Sequence, residues 1–274
     1  NQIKERLKNI PEVKKVIEIG CNDGIMLQNF IDKFDYDHLG IEPSKNVFEV
    51  SKNKKLNVIN EFFTNELSLN LSKYKKKTDV IYAANVICHI PDLNNLFQGI
   101  ENLLSQKGFF IFEEPYLGDV IRLTSYDQIY DEHVYLFSLL SVDKIAKLFD
   151  LEIIDAYPQT THGGSMRYVL ARKGEYVISD NFKKLLLKEL EQGLDKFETY
   201  LNFKEDCENS KKRLIQILNS FRDQGKKVSG YAATSKSTTI LNYCKIDSSL
   251  VDCIYDTTPL KINKFSPGMH IPIK

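Results

Sequence analysis

The chain has 274 residues, 42% hydrophobic and 27% charged, enough apolar material for one large α/β domain and a smaller partner. Thirty-seven basic residues balance thirty-seven acidic ones, so no overall field favours a nucleic-acid polymer or an acidic membrane. Five widely spaced cysteines without a C-x-x-C pair argue against a zinc ribbon or a disulfide framework, and no run of about 18 apolar residues offers a membrane span. With no charged-then-apolar leader at the N-terminus, the expectation is a cytoplasmic protein with no membrane partner.

In chain order, Lys15–Ile19 reads as a strand that ends in a glycine turn, and Ile25–Ile31 follows at helical spacing. His38–Glu42 is a second strand, with Ser44 as the N-cap of the next helix. Asp79–Ala84 and Phe109–Phe112 are buried strands. Between them, Leu93, Leu96, Phe97, Ile100, Leu103 and Leu104 make one apolar helix face. A helix after Ser141 leads to two closing strands, near Glu152–Ala156 and Met166–Ala171. Such alternation implies a parallel sheet covered on both sides.

From about Ser179 to Phe221 the chain turns Lys-, Glu- and Leu-rich, with one stripe through Leu186, Leu190, Leu194 and Phe197 and another through Leu214, Ile217, Leu218 and Phe221. The strand–helix rhythm then resumes: Lys227–Tyr231, a helix to Tyr243, and Val251–Tyr255. The expected domains are therefore 1–173, a helical connector at 174–225, and an incomplete Rossmann-like unit at 226–274.

Glu18-Ile19-Gly20-Cys21-Asn22-Asp23-Gly24 lies where the first strand meets the first helix. Glycines there let the backbone turn sharply and approach a ligand at the carboxyl edge of the sheet. Asn22 and Ile25 break the dinucleotide pattern G-x-G-x-x-G. The pattern E-x-G-x-N-x-G instead resembles motif I of class I methyltransferases. That resemblance implies a Rossmann-like sheet binding S-adenosyl-L-methionine through Glu18, Gly20, Asn22 and Asp23. Glu42, 18 residues after Gly24, suits the ribose hydroxyls, and Asn85 stands where that family contacts the methionine end. Phe62 and Phe63 are candidates to flank the adenine, although core packing competes for at least one of them.

Three of the five histidines follow strand ends: His89, His133 and His162. Imidazole is the natural general base near neutral pH, but each ring alone also suits a structural hydrogen bond. Metal binding would need closer ligand spacing, so no metal is expected. Glu113 and Glu114 are neighbours on an extended strand and point to opposite faces, which makes them a poor acid pair; only one is expected in the site, with Tyr116 reaching the same cleft.

The motifs Glu18–Gly24, Asn85–His89, Glu113–Asp119, Tyr130–His133 and His162–Arg167 occur in the order found in the deoxysugar C-methyltransferases, and the chain resembles that family from about residue 13 to its end. The resemblance implies methylation at carbon in a nucleotide-linked 4-keto-6-deoxysugar, of the tetronitrose and mycarose type. It implies His133 as the base that forms an enolate, with Tyr130, Glu132 and His89 around the reacting carbon, and Glu114, Tyr116 and His162 near the sugar. Tyr130 or His89 would hydrogen-bond the enolate and Glu132 would orient an imidazole.

Gly230–Ser237 follows a strand and opens a helix, a phosphate-binding arrangement that misses the Walker A pattern by one residue, Ser235. In the family a matching segment holds the nucleotide diphosphate, which implicates Lys236, with Asp256 at a ribose or base and His270 at a phosphate. Ala232 and Ser237 stand where the family often has glycine. The family also carries an N-terminal cysteine-rich zinc domain, none of whose ligands is in this sequence, either because it was trimmed away or because it never existed; the end of the C-terminal half is also expected to be missing. An O- or N-methyltransferase of another small metabolite, or a non-catalytic nucleotide-sugar-binding protein, remains an alternative reading.

Overall fold

The computed structural model describes residues 15–34 and 36–274, so the start of the expected 1–173 domain, residues 1–14, lies outside the described residues. The chain divides into two units, one of residues up to Tyr116 with Val134–Gln192, the other of Leu117–His133 with Gly193–Lys274.

The first unit is built on a seven-stranded sheet of order β3-β2-β1-β4-β5-β7-β6. Its strands are β1 (Lys15–Ile19), β2 (Asp37–Ile41), β3 (Val58–Ile59), β4 (Thr78–Ala84), β5 (Leu104–Pro115), β6 (Leu151–Gln159) and β7 (Ser165–Arg172). β1 to β5 run parallel. The wholly parallel sheet expected from the alternation is corrected at one edge, where β7 lies antiparallel between β5 and β6. The cause is local: β6 and β7 are joined by a short turn, and a parallel partner would need a long crossover. The helices of this unit are α1 (Ile25–Phe34), α2 (Lys45–Asn53), α3 (Asn65–Asn70), α4 (Leu93–Leu103), then, beyond α5 (Leu117–Arg122) of the second unit, α6 (Leu139–Ala146) and α7 (Asp180–Glu191).

Alternation along the strands sends side chains to both faces of the sheet, and both are covered. Ile17, Ile81, Phe110, Phe112 and Leu170 join one buried cluster with Leu96, Phe97 and Ile100 of α4. Val16, Val80, Phe109, Ile111 and Val169 join the other. Phe112 stacks on Tyr168 at 4.7 Å and on Phe110 at 5.1 Å. Full burial of each such side chain stabilises the fold by about 1.5–3 kcal/mol, which secures the middle of the sheet and leaves its carboxyl edge as the place for loops.

One helix start departs from the sequence expectation. Ser141 is the third residue of α6 rather than the residue before it; Ser138 is the N-cap, and the two serines form a reciprocal capping box. Ser44 is the N-cap of α2 as expected, without a side-chain cap bond, and its amide donates to Glu42.

The second unit contains α5 (Leu117–Arg122), a 3-10 turn at Tyr126–Gln128, the long helix α8 (Phe197–Asp223), β8 (Ser229–Tyr231), α9 (Ser235–Cys244) and β9 (Cys253–Tyr255). β8 and β9 are parallel. Leu218 of α8, Leu241 and Cys244 of α9, and Ile254, Ile271 and Ile273 form its core. The single stripe expected through Leu194 and Phe197 does not exist. α7 ends at Glu191, Gly193 takes a left-handed φ of 71°, and Phe197 is exposed at the start of α8. All five cysteines are free and buried, and among the described residues no helix is long and apolar enough to cross a membrane.

Candidate functional site

In the first unit a cavity of about 850 Å³ opens at the carboxyl ends of β1, β2 and β4, within the size range of small-molecule sites. Gly20, Asn22, Glu42, Asn85 and His89 line it, with Phe62, Phe63, Asp92 and Asn95 on further walls. The turn after β1 is made by three left-handed residues, Gly20 (φ 67°), Asn22 (φ 51°) and Gly24 (φ 78°). Any side chain at Gly20 would be strained, and a Cβ there would stand 2.4 Å from Cγ2 of Val86. Backbone therefore faces the cavity at this point because nothing larger fits.

Glu42 fixes this turn. One carboxylate oxygen accepts from the Asn22 amide at 2.9 Å and the other from the Ser44 amide at 2.8 Å. Its side chain is thus held at the end of β2 on the cavity wall, and each oxygen keeps lone-pair capacity for a hydroxyl. Lys54, from the end of α2, ties down the neighbouring turn through Asp23 O at 2.8 Å and Asp23 Oδ2 at 2.9 Å. That bond holds the Asp23 carboxyl below its usual range. Asp23 does not line the cavity; it is spent on the turn.

Glu18 is also absent from the lining. Its carboxyl is buried beside the turn with Oε2 unpartnered, and burial, followed by the nearby Asp23 and Glu42 carboxylates, raises its pKa to about 8 against the pull of the Leu27 amide. At neutral pH such a buried carboxyl is held mainly in its protonated form. Phe63 belongs to the core, whereas Phe62 is 73% exposed at the cavity wall, which divides the two aromatics between packing and contact.

The wall after β4 is a loop with Asn85 at φ 54° and a 3-10 turn at Ile87–His89. Glu114, fully buried, supports this loop from beneath: its Oε1 accepts from Val86 N at 2.9 Å and Ile87 N at 2.6 Å. Burial raises its pKa, with the Cys88 thiol and the loop amides opposing that shift. Glu114 thus braces the loop through Oε1 alone, and its buried Oε2 has no hydrogen-bond partner. Glu113 is turned the other way, toward Arg167 at 2.7 Å and the Thr161 hydroxyl at 2.9 Å. The Tyr116 hydroxyl donates to buried Glu189 at 2.9 Å, and Glu189 also accepts the first amides of α6. His162 sits exposed in the β6–β7 turn with φ 54°, beside the end of β5, where Tyr116 N donates to Gly164 O.

In the second unit, Tyr130 and His133 have their ring centroids 4.0 Å apart. His133 Nδ1 lies 2.8 Å from the carbonyl oxygen of Gln128. A carbonyl only accepts, so Nδ1 carries the proton and the lone pair of the neutral imidazole is on Nε2. This is the tautomer a general base needs. Glu132 lies in the same turn.

Lys236 is half-buried in the first turn of α9, whose N-cap Thr234 and third residue Ser237 form a capping box. Asp256 accepts from Thr258 N, from Ala233 N at 2.8 Å and from Lys261 Nζ at 3.2 Å, and these bonds hold its carboxyl well below the usual range. Asp256 therefore braces the loop that precedes α9. His270 is exposed in a turn with φ 51°.

Asp92, Asn95, Lys54, Lys261 and Glu189 were missed in the sequence. Asp92 does carry a signal, as the N-cap of α4 directly after Pro91. Lys54 and Glu189 act across long separations and have no local signature.

A family profile described as a methyltransferase domain matches residues 2–156, and one described as a C-methyltransferase C-terminal domain matches residues 160–274. Among curated proteins, the C-methyltransferase NovU of Streptomyces niveus is 28% identical over 259 residues, covering 94% of this chain and 61% of that relative. The chain thus spans less than two thirds of that relative's length. Among solved structures, an S-adenosylmethionine-dependent methyltransferase from Clostridium acetobutylicum is 16% identical with a TM-score of 0.49, over 63% of this chain and 89% of its own. One from Anabaena variabilis is 14% identical with the same TM-score, over 63% and 83%.

Proposed function

The chain belongs to the methyltransferase-domain family, and from that premise we propose that it is an S-adenosyl-L-methionine-dependent C-methyltransferase of a nucleotide-linked 4-keto-deoxysugar. Residues 1–173 serve as the cofactor domain, 174–225 as a connector and 226–274 as the nucleotide-sugar part. The C-methyltransferase profile over 160–274 and the likeness to NovU support carbon as the acceptor.

The residues of the first unit fit the cofactor. Glu42 is held to take two ribose hydroxyls, Phe62 stands exposed for an aromatic face, and the unpartnered buried oxygen of Glu18 suits an ammonium. Asn85 completes the methionine end. When bound, the cofactor supplies a methyl group on a sulfonium, an electrophile for a carbanion.

The observation that carries the reading is the 2.8 Å contact between His133 Nδ1 and the Gln128 carbonyl oxygen, which favours the tautomer with its lone pair on Nε2. Nε2 takes the proton from the substrate carbon next to the ketone, and the positive charge that develops on the ring is stabilised through Nδ1–H to Gln128 O. A carbon acid is too weak for imidazole unless the enolate oxygen meets a donor, a role assigned to Tyr130 or His89. Glu132 orients an imidazole. Lys236 and the free amides at the start of α9 take a phosphate of the nucleotide.

The test is a mass-spectrometric panel of nucleotide-linked 4-keto-sugars with S-adenosyl-L-methionine labelled with carbon-13 in its methyl group. The expected product gains one labelled methyl whose carbon-13 resonance lies in the C-methyl region, upfield of any O-methyl or N-methyl signal. A label recovered on oxygen or nitrogen assigns the protein to another methyltransferase class.

A further inference from the structure

We propose that Tyr126 is a positioning residue, which fastens the base-bearing turn to helix α9 and thereby sets the orientation of His133. The inference rests on His133 as the base and deepens that reading.

The 3-10 turn Tyr126–Gln128 is buried at both ends, with Tyr126 8% and Gln128 3% exposed. The Tyr126 ring packs on Tyr243 at 5.2 Å between centroids, and its hydroxyl lies 3.6 Å from Cys244 Sγ, both at the end of α9. Tyr243 is itself fixed from α8: its hydroxyl donates to Glu208 Oε1 at 2.5 Å, and Lys211 Nζ stands 4.6 Å over its ring. The turn thus has a platform made by two helices.

From that platform the chain leads directly to the imidazole. Gln128, two residues after Tyr126, offers its carbonyl to His133 Nδ1 at 2.8 Å, and the His133 amide donates to Tyr130 O at 2.9 Å. The carbonyl that chooses the tautomer is therefore carried by the turn that Tyr126 anchors. α9 is also the helix whose first turn carries Lys236. One unit thus bears both the proposed nucleotide contact and the base, and Tyr126 is the link between them.

The test uses Tyr126→Leu, Tyr126→Phe and Tyr243→Leu in the full chain. Nitrogen-15 NMR of the imidazole of His133, assigned with His133→Asn, reads the tautomer without substrate or cofactor. The wild type shows Nδ1–H; Tyr126→Leu and Tyr243→Leu show mixed tautomers, while Tyr126→Phe keeps the wild-type signal because its ring still packs on Tyr243. Steady-state kinetics on the keto-sugar then show kcat falling ~10-fold or more in Tyr126→Leu with KM within about threefold, the pattern of a group acting at the transition state. Should Tyr126→Leu not fold, Tyr243→Leu and the wild-type tautomer carry the test. Unchanged tautomer and kcat in both leucine variants overturn the positioning role. A wild type that turns over no keto-sugar yet shows the Nδ1–H signal overturns the base reading instead, so the two failures are told apart.

Discussion

Glu18→Gln is expected to change how stability depends on pH. Burial raises the folded-state pKa of Glu18 from 4.5 to about 8, with Asp23 and Glu42 adding to the shift. The folded state therefore binds a proton more tightly than the unfolded chain between those values, and stability falls as pH rises through that window. The stabilisation relative to the ionised form is full below pH 4.5 and gone above about 8. A displacement of that size is worth up to ~5 kcal/mol, an upper figure because local rearrangement and water entry reduce it. Glutamine cannot ionise and keeps an amide oxygen for the Leu27 amide, so the variant escapes the loss. Urea unfolding at pH 5 and pH 9 without cofactor measures the effect. The wild type should lose several kcal/mol more than Glu18→Gln between the two pH values, other titrating groups being common to both proteins. Parallel losses would refute a buried, proton-binding Glu18.

Three further outcomes follow from the same geometry. Calorimetry of S-adenosylhomocysteine at pH 7 in buffers of different ionisation enthalpy should detect proton release, as an ammonium beside Glu18 favours its ionised form; equal enthalpies in all buffers would remove Glu18 from that role. Gly20→Ala places a Cβ against Val86 at φ 67° and should cost ~1–2 kcal/mol from backbone conformation alone, with cofactor binding lost beyond that; calorimetric affinity equal to wild type would contradict the crowded turn. Arg167→Met leaves Glu113, 8% exposed, without its charged partner and should cost ~2–3 kcal/mol in thermal unfolding, below the ~3–5 of a fully buried pair because Thr161 still donates; an unchanged melting temperature would show the pair to be idle.

The sheet strands were legible because they are short apolar runs with glycine or polar ends, and the turn after β1 because positive φ at Gly20 and Gly24 leaves a compositional trace. Glu42 was legible for the same reason, as a carboxylate closing a strand one βα unit later. The antiparallel β7 was not, since strand direction depends on connection geometry rather than on composition. Nor were the partners of Glu114 and Tyr116: a Glu or Tyr at a strand end carries no trace in sequence of the Val86 and Ile87 amides or of the Glu189 carboxylate that it meets. The break between α7 and α8 was hidden by leucines that keep a helical period across Gly193.

The proton on the substrate carbon next to the ketone gives the most direct measurement. In deuterium oxide, proton NMR of a nucleotide-linked 4-keto-6-deoxysugar should show that carbon exchanging in the presence of the wild-type protein and holding its proton with His133→Asn. Exchange that continues at the wild-type rate in the asparagine variant would place the base on another residue and contradict the account.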